Sequence, residues 1–106
     1  QQQFDVVILD PPAFTKSREH IQKAVTGYKE INLRGMKLVK PGGFLVSASC
    51  TNLVPPDLFL KTIEMAAKDA KRKLRQVTWQ TQAADHPIVW HIPNTQYLKF
   101  LIVQVL

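Results

Sequence analysis

The chain has few of the residues that would assign it to a structural class at once. Its single cysteine, Cys50, cannot form an internal disulfide, which fits a reducing cytoplasm. No window approaches the roughly 18 consecutive apolar residues of a membrane span, and no secretory signal is expected at the N-terminus. The four glycines fit helix or turn positions (Gly27, Gly35, Gly42, Gly43) and not a cofactor-binding loop. These scarcities predict a cytoplasmic protein that does not enter a membrane.

Acidic residues are also scarce. The 106 residues include 14 Lys and Arg against 8 Asp and Glu, a formal net charge of +6. A basic balance favours an acidic partner, nucleic acid first, because each neutralised phosphate releases a counterion. No two histidines or acids have metal-ligand spacing, so we expect no metal site. The length and the apolar fraction of 45% predict one small domain with a core.

The first half of the chain reads as strand, helix and strand. The continuous apolar run 4–9 is typical of a strand that is covered on both faces. Segment 17–40 is an amphipathic helix by its three- and four-residue spacing, with Ser17 as N-cap. Its apolar stripe is Ile21, Val25, Tyr28, Ile31, Gly35 and Leu38. The turn residues 40–43 end this helix, and a second strand covers 44–49.

The second half adds a helix and two strands. Val54-Pro55-Pro56-Asp57 opens a helix whose apolar stripe is Phe59, Ile63, Ala66, Ala67 and Ala70. An alternating strand follows at 74–81, then a loop with prolines and histidines, then an apolar strand at 97–106. The predicted fold is therefore α/β, in the order β-α-β-α-β-β. Its sheet is mostly parallel, with the terminal strand antiparallel.

Two reactive side chains follow the first two strands. Asp10-Pro11-Pro12 ends the first strand abruptly, because prolines lock φ and lack an N–H donor. Cys50 follows the second strand directly. Ligands of open parallel α/β sheets bind outside the carboxyl ends of the strands. If the two strands are neighbours, about 4.8 Å apart, Asp10 and Cys50 open onto one crevice.

Several stretches together carry a family resemblance. They are "FDVVILDPPAFTKS", "GYKEINLRGMKLVKPGGFLVSASC", "LFLKTIEMAAKDA", "QAADHPI" and "YLKFLIVQVL". In this order they resemble the C-terminal half of a class I S-adenosylmethionine-dependent methyltransferase. The closest resemblance is to bacterial 23S ribosomal RNA cytosine-5 methyltransferases of the large subunit methyltransferase I type. The resemblance implies a Rossmann-like fold, S-adenosylmethionine as cofactor and ribosomal RNA as partner.

The resemblance also implies roles for individual residues. Cys50 is in the position of the nucleophile that adds to carbon 6 of cytosine, so that carbon 5 can accept a methyl group. Asp10 is in the motif that grips the base and, with Pro11, borders the cofactor. The residues implied in substrate binding are Pro12, Phe14, Lys16, Arg18 and His86. The group that removes the carbon-5 proton stays open between Asp10, His86 and water.

The sequence departs from the family in one large respect. The glycine-rich loop and the acidic residue that hold the cofactor should precede Phe4 and are absent, as is an RNA-binding domain. We therefore expect residues 1–106 to be a single partial domain, with most of the cofactor site upstream and no activity alone. The first strand would then expose an apolar edge, which predicts self-association, for example a dimer through adjacent first strands.

Simpler interpretations stay open beside these. Cys50 also suits the role of a buried small apolar residue, and in that alternative the enzyme would methylate a nitrogen of guanine or adenine. Asp10 and His86 also suit plain turns. The cations of segment 68–75 suit a solvated helix end, and Tyr28 suits a core. A non-catalytic RNA-binding module is the alternative from a different functional class.

Overall fold

The computed structural model describes residues 2–11, 21–49, 54–81 and 99–106. These residues form six elements in the predicted order. They are β1 (Phe4–Leu9), α1 (Ile21–Leu38), β2 (Val39–Ser49), α2 (Pro56–Ala70), β3 (Leu74–Gln80) and β4 (Lys99–Val105). The predicted N-cap Ser17 lies outside the described residues. No helix in these ranges is both long and apolar enough to cross a membrane.

The four strands form one sheet in the order β1-β2-β4-β3. β1 and β2 are parallel, whereas β4 is antiparallel to both β2 and β3. It follows that β3 runs in the same direction as β1 and β2, and that β4 alone is reversed. The prediction of a mostly parallel sheet with an antiparallel last strand is confirmed. β4 is inserted between β2 and β3 because α2 carries the chain past one strand position, which the last strand then fills.

β2 begins earlier than the sequence predicts. The residues expected to form a turn, 40–43, lie inside a strand that starts at Val39 directly after α1. Phe4 pairs with Val39 and Val6 pairs with Phe44. An advance of two residues along β1 therefore corresponds to an advance of five residues along β2. The three extra residues form a bulge, which suits Pro41 because a proline has no N–H for the ladder. The predicted start at Phe44 is therefore wrong, although the turn residues do interrupt the pairing.

Glycine is required in this bulge by two different constraints. Gly42 has a φ of 88°, in the left-handed region that other residues rarely adopt. Its carbonyl accepts a hydrogen bond from Gln104 Nε2 at 3.1 Å. A Cβ at Gly43 would lie 2.6 Å from the carbonyl oxygen of Asp5. The bulge thus lets the backbones of β1 and β2 approach each other closely.

Both helices pack on the same face of the sheet. A Cβ at Gly35 would lie 2.8 Å from Leu9 Cδ1 and 3.2 Å from Leu45 Cδ1, which shows how closely α1 approaches β1 and β2. On α2, the ring of Phe59 stacks on Trp79 of β3 with centroids 6.1 Å apart. The core between these layers contains Ala24, Tyr28, Met36, Val39, Leu45, Val54, Phe59, Ile63, Ala66, Ala67, Leu101, Val103 and Val105.

The predicted apolar stripes agree with the buried faces to different degrees. The α2 stripe is confirmed, since Phe59, Ile63, Ala66 and Ala67 are buried and Ala70 packs against them. On α1 the buried face is rotated, because Asn32 is buried and Ile31 is not. Asn32 is buried because it accepts a hydrogen bond from Ser47 of β2. The spacing of the apolar residues gives no sign of this polar contact. The prediction of Tyr28 as a core residue is confirmed.

The opposite face of the sheet is uncovered in the part of the chain that the structure describes. Phe4, Val6 and Ile8 alternate along β1 with their side chains on this face, and Phe44 lies beside them on β2. Ile8 is 70% exposed and Val6 51%. β1 also lies at the edge of the sheet, with β2 as its one strand neighbour among the described residues.

Candidate functional site

The carboxyl ends of β1 and β2 lie side by side. Leu9, the last residue of β1, pairs with Ser47 of β2, so β2 extends two residues further. Asp10 follows β1 as an exposed residue, and Pro11 after it is half-buried. The prediction that the two strands are parallel neighbours is confirmed. Asp10 therefore lies on the same rim of the sheet as the last residue of β2, Ser49.

Most of the predicted site residues lie outside the described residues. Cys50 is the next residue in the chain after Ser49, the last described residue of β2. The others in this group are Pro12, Phe14, Lys16, Arg18 and His86. Of the predicted site residues, the structure therefore describes Asp10 and Pro11.

A buried hydrogen-bonded cluster supports the end of β2 from below. Ser47 Oγ donates to Asn32 Oδ1 at 2.7 Å, and Ser49 Oγ donates to the Tyr28 hydroxyl at 3.0 Å. Asn32 Nδ2 in turn donates to the carbonyl of Tyr28 at 2.7 Å. All four residues are at most 1% exposed. Such a network fixes α1 to the strand end, because leaving any member unpaired in the interior is costly.

Lys99 belongs to the same end of the sheet. It is the Cα partner of Ser49 across the β2–β4 pairing and is 0% exposed. Buried ammonium groups are rare, because removing the charge from water is costly unless the protein compensates it. Lys99 is not among the residues predicted from the sequence. Strand alternation contained the signal, since Lys99 is in phase with the buried Leu101 and Val103 of β4.

Among the described residues, few groups at this rim could hold a cofactor. Asp10 and Pro11 are the described residues that follow β1 there, and the described glycines lie in α1 or in the β2 bulge. A cofactor as large as S-adenosylmethionine needs more contacts than these two residues give. No group of three or more His, Cys, Asp and Glu side chains suited to a metal occurs among the described residues.

Known proteins share the sequence or the fold of this chain. Over 97% of its length the chain is 46% identical to ribosomal RNA large subunit methyltransferase I of Alteromonas mediterranea. It is 45% identical over 96% of its length to the protein of the same name from Shewanella denitrificans. SMU.776, a protein assigned as a methyltransferase and solved with SAH, matches 98% of the chain with a TM-score of 0.80 at 21% identity. The fold is that of part of a class I methyltransferase.

The methyltransferase fold found here matches only part of each known protein. The chain spans 26% of the length of the two curated methyltransferases and 27% of SMU.776. A methyltransferase homolog from Pyrococcus horikoshii also matches 98% of the chain, with a TM-score of 0.52. No family model matches the chain. The sequence resemblance to large subunit methyltransferase I is confirmed by the identities.

Proposed function

We propose that the chain is the C-terminal part of the catalytic domain of an RNA methyltransferase that uses S-adenosylmethionine. Its target is carbon 5 of a cytosine in large-subunit ribosomal RNA. The observation that carries the proposal is the adjacency of β1 and β2, which puts Asp10 on the same rim as the strand that leads into Cys50. The identity of 46% to a ribosomal RNA methyltransferase supports the substrate class.

The proposed chemistry begins at Cys50. Its thiolate adds to carbon 6 of cytosine, and carbon 5 thereby becomes enamine-like and nucleophilic. The bound cofactor supplies an electrophilic methyl group to carbon 5. A base, which is Asp10, His86 or water, then takes the carbon-5 proton, and the returning electron pair expels the thiolate. In this proposal Asp10 hydrogen-bonds the edge of the base as charge develops on it.

In this proposal the remaining predicted residues bind the RNA or the cofactor. Pro12 and Phe14 contact the flipped base, and Lys16 and Arg18 hold nearby phosphates. His86 is assigned to substrate binding by the family resemblance. Asp10 and Pro11 border the cofactor, most of whose site lies outside residues 1–106 in this proposal. The proposal places the reaction in the cytoplasm and treats 1–106 as one partial domain.

A graft tests this proposal. Residues 1–106 replace the matched segment of the Alteromonas mediterranea methyltransferase, and nucleosides of the treated ribosomal RNA are identified by mass spectrometry. We expect 5-methylcytidine from the graft and none from its Cys50→Ala variant. An N-methylated purine nucleoside that persists in Cys50→Ala would instead show that Cys50 is structural. An inactive graft that is folded would also contradict the proposal.

We also propose that the isolated chain associates with a second copy through β1. The supporting observations are the unpaired outer edge of β1 among the described residues and the exposure of Val6 and Ile8. An exposed apolar edge strand is a template for pairing with another strand. Sedimentation over a range of concentrations measures this, and a monomer at every concentration would contradict it.

A further inference from the structure

A group of cations lies at the rim of the sheet opposite Asp10. We call this group the basic rim, and it consists of Lys68, Lys71, Arg72, Lys73 and Arg75. They lie at the end of α2 and the start of β3. Because β3 is parallel to β1 and β2, its first residue lies at the rim where those strands begin. The length of β3, about 23 Å, separates the basic rim from the candidate site.

The acidic side chains among the described residues leave the exposed lysines of the basic rim without ion pairs. Asp69 is the acid within this segment, and its carboxylate is bound to Lys29 Nζ of α1 at 2.7 Å. Lys68, Lys71 and Lys73 are exposed and form no ion pair with the described residues. The stretch therefore presents a local excess of positive charge, unlike the paired cation Arg34, which binds Glu30.

Arg72 has a different environment from the other four. Its Nη1 donates to the carbonyls of Met36 and Val39 at 2.8 and 3.1 Å, and its Nε donates to that of Leu106 at 3.2 Å. Its Nη2 has no hydrogen-bond partner in the described part of the chain. Met36 and Val39 contribute neutral carbonyls, and the Leu106 oxygen belongs to the last residue of the sequence. These hydrogen bonds hold the positive charge of Arg72 in one place beside the long, exposed side chains of the lysines.

The backbone at Lys71 provides an independent observation. Lys71 has φ 58° and ψ 41°, and it is the non-glycine residue with positive φ among the described residues. Its N–H bonds to the carbonyl of Lys68, and the N–H of Arg72 bonds to that of Ala67. This is the Schellman ending, in which glycine is favoured at the left-handed position. A lysine there lowers the stability of the fold, so backbone fit does not explain its presence.

The basic rim borders a concave surface. A groove of about 630 Å³ lies between α2 and strands β3 and β4, and Lys68, Arg72 and Lys73 line it. Its floor is mainly apolar, formed by residues such as Ile63 and Leu101. Glu64 is the acidic residue in this lining. Concave surfaces with low-dielectric walls focus the field of charges at their edge, which strengthens attraction of a polyanion.

We propose that the basic rim binds the phosphate backbone of RNA outside the target nucleotide. This inference rests on the proposed function, because that function makes RNA the polyanion in question. The RNA would contact both rims of the sheet, so that its footprint extends over several nucleotides. Lys71 then contributes its charge to RNA binding at a position where backbone conformation favours glycine.

Lys71→Gly separates this role from a structural one. The variant is expected to be more stable, with a melting temperature higher by about 4 °C, because glycine suits the left-handed position. It is also expected to bind a fluorescein-labelled single-stranded RNA about three-fold more weakly, with the salt-dependence slope reduced by about 0.7. Thermal unfolding and fluorescence anisotropy at several salt concentrations measure the two effects on the same protein.

Two matched variants control for charge and conformation. Lys71→Arg keeps both the cation and the left-handed strain, so its melting temperature and RNA affinity should stay near those of the original chain. Arg34→Gln removes one positive charge that is already paired with Glu30, and it should change RNA affinity less than Lys71→Gly does. Replacing Lys68, Lys71, Lys73 and Arg75 together by Gln should lower the salt slope by about 3.

Three outcomes would overturn the inference. They are unchanged RNA affinity and salt slope in Lys71→Gly, no RNA binding by the original chain, and binding to anionic lipid vesicles in preference to RNA. The proposed methyl transfer is judged separately, by the nucleosides that the graft produces. An active graft whose RNA affinity is unchanged by Lys71→Gly would therefore contradict this inference and leave the proposed function standing.

Discussion

Ser49, the residue before Cys50 in the chain, donates a hydrogen bond of 3.0 Å to the Tyr28 hydroxyl. The pair joins the middle of α1 to the end of β2, and both residues are fully removed from solvent. It therefore connects the core of the domain to the strand end on which the proposed chemistry depends. A rigid connection at this point would hold the following residue in a reproducible place relative to β1.

The first prediction concerns this pair. Tyr28→Phe should lower the free energy of unfolding by about 1–3 kcal/mol, because the Ser49 hydroxyl would stay buried without this acceptor. Ser49→Ala should lower it by about 1 kcal/mol. Urea unfolding of both single variants and the double variant gives the coupling, expected near 1 kcal/mol. Additive effects of the two substitutions would show that the hydrogen bond contributes nothing to stability.

The second prediction concerns the bulge of β2. Gly43→Ala should lower the free energy of unfolding by about 2 kcal/mol, because the new methyl would meet the backbone oxygen of Asp5. Gly42→Ala has open space around the position and should cost only the left-handed strain, about 1 kcal/mol. Urea unfolding compares them. Equal effects at both positions would mean that β1 does not approach β2 as described.

The third prediction concerns association through β1. Ile8→Lys places a charge on a side chain that is 70% exposed, so it should abolish the dimer with less than about 0.5 kcal/mol of lost stability. Val77→Lys is the matched control, since Val77 is an exposed apolar residue of β3, at the other edge of the sheet. Sedimentation of the two variants should differ. If Val77→Lys dissociates the copies and Ile8→Lys does not, the contact lies elsewhere.

The elements that were predicted well have strong local signals. The sequence predicts β1 with its observed bounds because an apolar run ends at two prolines. It predicts the start and the buried stripe of α2 because Pro55 and Pro56 precede a clear apolar spacing. The start of β2 was missed because Pro41, Gly42 and Gly43 favour a turn locally. Pairing with β1 and β4 overrides that preference and turns the segment into a bulge.

The sequence predicts which strand ends lie together at the candidate site. It does not predict the buried polar residues that support those strand ends. The rule that ligands bind at the carboxyl ends of parallel strands points to Asp10, and the pairing of β1 with β2 brings Asp10 to the same rim as the end of β2. The buried cluster around Asn32 and Ser47 was missed, because a polar residue on a helix reads as solvent-facing until its partner strand is known. Lys99 is missed although strand alternation puts it in phase with the buried Leu101 and Val103. Such residues depend on pairing between distant parts of the chain.

The central claim is that Cys50 forms a covalent bond to carbon 6 of a cytosine. Ribosomal RNA that contains 5-fluorocytidine tests it most directly, because fluorine replaces the proton that must leave carbon 5 and the adduct cannot be resolved. The graft that carries residues 1–106 is predicted to form a protein–RNA complex that survives denaturing electrophoresis, and Cys50→Ala is predicted to form none. Methylation of ordinary RNA by the graft without any trapped complex, or with a complex that persists in Cys50→Ala, would contradict the account.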